Sequence, residues 1–101
     1  MNAAHIVRRL VIRGRVQRVG YRAWVQHVAL QHGVEGWVRN RHDGTVEAVF
    51  AGPANVVREM TEACGRGPSG AQVDALDQHD GGPDDVALRR RGEIFSVLPT
   101  A

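Results

Sequence analysis

A glycine-bounded stretch, Gly14-Arg15-Val16-Gln17-Arg18-Val19-Gly20, runs directly into a helical pattern that begins at Tyr21. A helix start leaves backbone N–H groups without partners and gathers the positive end of the helix dipole, so a loop placed there suits an anion. Arg22 falls in the first turn, where the dipole disfavours a cation. A bound anion supplies a reason for it. The loop has neither the glycine spacing of a dinucleotide fold nor the lysine of a nucleotide-hydrolase phosphate loop. All thirteen basic residues are arginine, and without lysine there is no Schiff-base chemistry either. His5, His27, His32, His42 and His79 show no metal-ligand spacing, and His27 and His32 read as helix-surface or helix-end residues. The single cysteine, Cys64, excludes an intramolecular disulfide and a Cys-based zinc site, and its place on an apolar helix stripe makes it a core residue rather than a nucleophile. No metal or cofactor is expected.

The elements that must position these residues follow from periodicity. His5 to Arg13 alternates as a strand, with Ile6, Leu10 and Ile12 on one face and Val7 and Val11 on the other. Tyr21, Trp24, Val25, Val28 and Ala29 recur at helical spacing, and Gly33 supplies a stop. Val34 to Asn40 is β-rich, Arg41-His42-Asp43-Gly44 is a turn, and Thr45 to Ala51 alternates again, which makes a hairpin. Gly52-Pro53 opens a second helix with the stripe Val56, Val57, Met60, Ala63 and Cys64, ended by Gly65 and Gly67-Pro68. Ala71 to Gln78 is a weaker strand, His79 to Pro83 a loop, and Ile94 to Leu98 a short terminal strand after a solvated Arg89-Arg90-Arg91 flank. The order β-α-β-β-α-β is the ferredoxin-like α+β plan, an antiparallel sheet with two helices on one face and a short extra C-terminal strand. In it the first two strands are parallel with the third between them, so their C-terminal ends share one sheet edge, about 10 Å apart. The glycine-bounded loop and Asn40 therefore belong to one neighbourhood. Arg39 and Arg41 alternate away from Asn40 and should only add positive field.

At 101 residues with 43% apolar and 24% charged side chains, residues 1–101 are expected to form one globular domain. Such a chain buries one core but no deep cofactor cavity. No window holds the roughly 18 apolar residues of a membrane span, and Arg8, Arg9, Arg13 and Arg15 interrupt any export signal, which gives a cytoplasmic address. Charge is uneven along the chain: residues 1–41 carry eight arginines against Glu35 alone, and residues 42–101 carry five arginines against ten acids. A positive N-terminal half suits a small phosphate or a nucleic acid.

Gly14-Arg15-Val16-Gln17-Arg18-Val19-Gly20-Tyr21-Arg22 closely resembles the acylphosphatase motif Gly-x-Val-Gln-Gly-Val-x-(Phe/Tyr)-Arg. A second motif of that family stands in Gly36-Trp37-Val38-Arg39-Asn40, with Gly44, Val46 and Gly52 following at matching intervals. The resemblance implies metal-independent hydrolysis of acyl phosphates, the mixed carboxylic–phosphoric anhydrides, to a carboxylate and phosphate. It implies that Arg22 grips the phosphoryl oxygens together with the loop amides of Arg15, Val16, Gln17, Arg18, Val19, Gly20 and Tyr21, and that Asn40 orients the attacking water. These parts suit phosphoryl transfer, which is mainly positioning and charge stabilisation. As a residue in its own right, Asn40 could equally be a turn former ahead of the hairpin. The expected partners are a small acyl phosphate as substrate and phosphate as product or inhibitor. Neither a membrane nor a nucleic acid is expected, and the chain should be a monomer.

Arg18 departs from the motif, which has glycine there. If the position needs a positive φ, a side chain costs about 1–2 kcal/mol of strain, which Gly20 would partly relieve. Arg18 would then lower turnover, or point outward, or bring a second cation to the anion. A weakly active or inactive anion-binding module is the first alternative. A small nucleic-acid-binding domain is the second, against which stand only five aromatics and no strand-borne stacking pattern.

Overall fold

The computed structural model describes residues 4–101. The strand read from His5 is β1 (His5–Arg15). It is followed by α1 (Tyr21–His32), β2 (Glu35–Asn40), β3 (Val46–Pro53), α2 (Ala54–Arg66), β4 (Gln72–Asp80), a one-turn α3 (Pro83–Val86) and β5 (Phe95–Val97). The sheet order is β4-β1-β3-β2-β5. β3 is antiparallel to both β1 and β2, which are therefore parallel to each other, as the ferredoxin-like plan requires. No described helix is long and apolar enough to cross a membrane.

The strand alternation decides what each face buries. Leu10 and Ile12 of β1, Val38 of β2 and Val46, Ala48 and Phe50 of β3 face the helices, where Tyr21, Val25 and Ala29 of α1 and Val57, Met60 and Cys64 of α2 meet them. Gly33, at φ 70°, closes α1 with its N–H turned back onto the last carbonyls. α2 ends at Gly67, φ 68°, having run through Gly65 instead of stopping there.

The sheet is mixed rather than antiparallel. β5 pairs parallel to β2, with Gly36 opposite Phe95 and Val38 opposite Val97. The cause lies in the connection: the chain leaves β4 at the end of the sheet where β1 and β2 begin. It then crosses the face opposite α1 and α2 through α3, which touches β1, β2 and β3, and so enters β5 in the direction of β2. That far face is consequently not bare. Trp37, Val49 and Leu98 form a second apolar cluster with Val7 and Val86 packed on it, and the Trp37 indole N–H donates to the Asp85 carbonyl at 2.6 Å. The segment expected as a loop at His79 to Pro83 is the end of β4 and the start of α3. Arg89 and Arg90 are also not merely solvated. Arg89 pairs with Glu35 and Arg90 donates to the Val97 carbonyl, tying this connection to β2 and β5.

Candidate active site

Near its end β1 passes through a bulge between Arg13 and Gly14, beyond which Gly14 and Arg15 still pair with β4. Gly14 has φ 128°, and a Cβ there would lie 2.2 Å from the Gln72 carbonyl oxygen, so only glycine lets the strand bend this close to β4. The chain then loops to Gly20, the N-cap of α1, whose carbonyl accepts the first helical hydrogen bond from Trp24 N–H. The amides of Gln17 through Arg22 find no backbone acceptor among the described residues. They form the donor array expected of a helix-start loop.

Beside this array is a cleft of about 260 Å³ lined by Val16, Arg18, Gly20, Tyr21, Arg22, Ala23, Gln26, Asn40 and Val97. Topology thus brings Asn40, at the end of β2, to Arg22, at the start of α1. Asn40 pairs with Val46 and shares its helix-facing side of the sheet. It is 9% exposed, and its Oδ1 is buried without a hydrogen-bond donor among the described residues. A buried carbonyl oxygen is normally satisfied, and leaving one unmet costs about 1–3 kcal/mol.

The other motif residues divide by role. Val16 is buried, with its side chain in the core, and Tyr21 likewise turns its ring inward, where its hydroxyl donates to the Cys64 carbonyl. Arg15 is exposed at the end of β1 and does not line the cleft, nor does half-buried Val19. Gln17 points away from the cleft. Its Nε2 donates to the carbonyls of Arg41 and Thr45 at 2.8 and 2.9 Å, fastening the loop to the hairpin that follows Asn40. That hairpin is itself fixed by Asp43 Oδ1, which accepts from both Thr45 N–H and its hydroxyl. Three lining residues went unread in the sequence. Gln26 stands one turn from Arg22, and its i+4 spacing could have disclosed it; Ala23 and Val97 carried no signal.

Neither buried ionisable group near the loop is reactive. Burial, reinforced by the neighbouring Cys64, holds the Tyr21 phenol far above its ordinary range. Burial also pushes the Cys64 thiol up to about 12, against the opposing hydrogen bond from Tyr21. Both stay neutral at physiological pH, and Cys64 is the core residue its stripe predicts.

Folding cancels most of the charge asymmetry. Of the eight arginines in residues 1–41, Arg8 pairs with Asp80, Arg9 and Arg39 with Glu47, Arg13 with Asp77 and Arg41 with Asp43. Arg39 and Arg41 therefore do not simply add field; Arg39 also lies 4.6 Å over the Trp37 ring. Arg15, Arg18 and Arg22 have no carboxylate within ion-pair distance among the described residues, and all three belong to the loop and helix start. Arg18 is the one non-glycine residue with positive φ among those described, at 62°. Gly20 is itself left-handed at φ 78° and does not spare Arg18 that conformation.

The family model for acylphosphatase matches residues 8–89. The chain belongs to the acylphosphatase family. An acylphosphatase of Rhodopseudomonas palustris (strain BisB18) is 57% identical over 95 residues, covering 94% of this chain and 96% of that protein. One from Bradyrhizobium diazoefficiens is 56% identical over 91 residues, covering 90% and 92%. Among solved structures, the acylphosphatase of Bacillus subtilis superposes with a TM-score of 0.79 at 32% identity, covering 92% of this chain and 98% of that one. Acylphosphatase membership and the ferredoxin-like fold thus agree over nearly the whole length.

Proposed function

We propose that the cleft between the 15–20 loop and Asn40 is where this acylphosphatase hydrolyses acyl phosphates to a carboxylate and inorganic phosphate, and that Arg22, the loop amides and Asn40 carry the reaction. The observation that carries the assignment is the buried, unpartnered Asn40 Oδ1 sharing one cleft with Arg22. Arg22 offers a planar fork to two phosphoryl oxygens, and the amides from Gln17 to Arg22, without backbone acceptors among the described residues, supply donors for the remaining one. Asn40 Oδ1 accepts a hydrogen bond from a water and so turns a lone pair of that water toward phosphorus. The water oxygen–phosphorus bond forms as the phosphorus–acyl oxygen bond breaks. The carboxylate departs as an anion, and the water's proton passes to the phosphate. A carboxylate is a good leaving group, so no general acid is required, and the catalytic demand is for charge stabilisation.

An alternative as a nucleic-acid module is disfavoured by the aromatics. Tyr21, Trp37, Phe50 and Phe95 are buried, and Trp24 is packed against the core. The same reading takes the chain to be one domain, a monomer and cytoplasmic. The test is phosphate release from benzoyl phosphate with EDTA present. We expect turnover with kcat nearly flat between about pH 5 and 8, since the step as assigned uses no general acid or base of the protein. Absence of turnover by the folded protein would leave only an anion-binding module.

A further inference from the structure

We propose that Arg18 is a specificity-determining residue that favours acyl phosphates whose acyl group carries a carboxylate of its own. The inference rests on the assignment of the cleft to acyl phosphate hydrolysis and extends it to the substrate class. The depth of the cleft orders its polar groups: Asn40 is buried, Arg22 half-buried and Arg18 exposed. In-line displacement puts the leaving oxygen opposite the attacking water. With the water held at the buried Asn40 end, the acyl group departs toward the open rim, and the rim is where Arg18 stands.

Charge points the same way. Arg22 and the positive end of α1 together offer about +1.5 to a phosphoryl dianion. Arg18 adds a further full charge and has no carboxylate partner among the described residues, whereas Arg8, Arg9, Arg13, Arg39 and Arg41 all have one. An anionic acyl group would give the unpaired Arg18 fork a matching acceptor. Arg18 also holds φ 62°, and strain of this kind persists where the surrounding structure enforces it, chiefly at binding and catalytic sites.

The experiment compares kcat/KM for 3- and 4-carboxybenzoyl phosphate with that for benzoyl phosphate, in the wild type and in Arg18→Asn and Arg18→Lys. Asparagine tolerates left-handed backbone but carries no charge, and lysine keeps the charge. Taking each substrate's ratio between proteins cancels its intrinsic reactivity. Arg18→Asn should lower kcat/KM for at least one carboxylated substrate by about three- to fivefold more than for benzoyl phosphate. Lysine should restore part of that difference, and about 0.5 M salt should erase it. An equal effect on all three substrates would assign Arg18 to the phosphoryl group, and no effect would leave it a spectator; either overturns the proposal while the hydrolytic assignment stands. Failure of the wild type to hydrolyse any of the three would overturn both.

Discussion

Two arginine clusters stand on opposite sides of the same sheet and behave differently. On the far face Arg9 and Arg39 clasp Glu47 at 2.7 and 2.8 Å, and the carboxylate is 5% exposed. At the cleft, Arg18 and Arg22 meet no carboxylate among the described residues and adjoin an array of amides that is also without backbone acceptors. The first cluster is complete within the chain and serves stability. The second has no such partner within the described residues, as the proposed phosphoryl site requires. Arginine content does not distinguish the two, but pairing does.

The sharpest way to test the contrast is Arg22→Lys. Lysine keeps the charge and loses the fork, so kcat/KM for benzoyl phosphate should fall by about 10²–10³, with the melting temperature unchanged. Normal kinetics would move Arg22 out of the site and dissolve the contrast. Asn40→Ala should lower kcat by about 10² and leave competitive inhibition by phosphate within about twofold, because the role proposed for the amide is to hold the water and not the anion. Parallel losses in kcat and phosphate affinity would make Asn40 an anion ligand or a structural turn residue.

The paired cluster should answer in stability instead. Glu47→Gln leaves two partly buried guanidiniums without their countercharge and should cost about 2 kcal/mol in denaturant unfolding, with kcat/KM of the folded variant nearly unchanged. Desolvation pushes the Glu47 carboxyl upward, but hydrogen bonds and charge from Arg9 and Arg39 outweigh it and hold the carboxyl below its ordinary value. A depressed folded value means the stabilisation is present above the unfolded carboxyl value, about 4.3, and is lost as pH falls through the folded one. The stability gap between wild type and Glu47→Gln should therefore shrink below about pH 4. A gap that widens in acid would contradict this pairing. The smallest effect is expected from Gln17→Ala. The Arg41 and Thr45 carbonyls keep backbone donors from Gly44 and Arg41, so about 1 kcal/mol of stability is lost, and KM rises a few-fold as the loop loosens. An unchanged KM would show that the loop needs no fastening.

Much of this was legible in the sequence, and the rest failed for identifiable reasons. The strand and helix periods located both helices and the hairpin, and split βαβ topology alone predicted that Asn40 would lie beside the loop. Glu47 alternates with Val46, Ala48 and Phe50 and so faces away from the helices, yet it is buried. What covers its face is α3 and the segment through Leu98, and a single helical turn has no period to read. The parallel direction of β5 depends on which face the chain crosses after β4, a property of the whole fold that three strand residues do not encode. Local patterns likewise conceal ion pairs between distant residues such as Arg8 and Asp80, so five arginines that looked like an anion-binding surface are paired with four carboxylates from the second half of the chain. At Arg18 the need for positive φ could be posed from the motif, but only the backbone answers it.

Val97, on the last strand of the sheet, lines the same cleft as the loop after the first strand. A refolding chain therefore has no finished cleft until its most distant segments have met, a slow closure in a topology rich in non-local pairings. Recovered activity thus clocks the end of folding, and phosphate in the refolding buffer should stabilise the completed chain while offering little to its precursors.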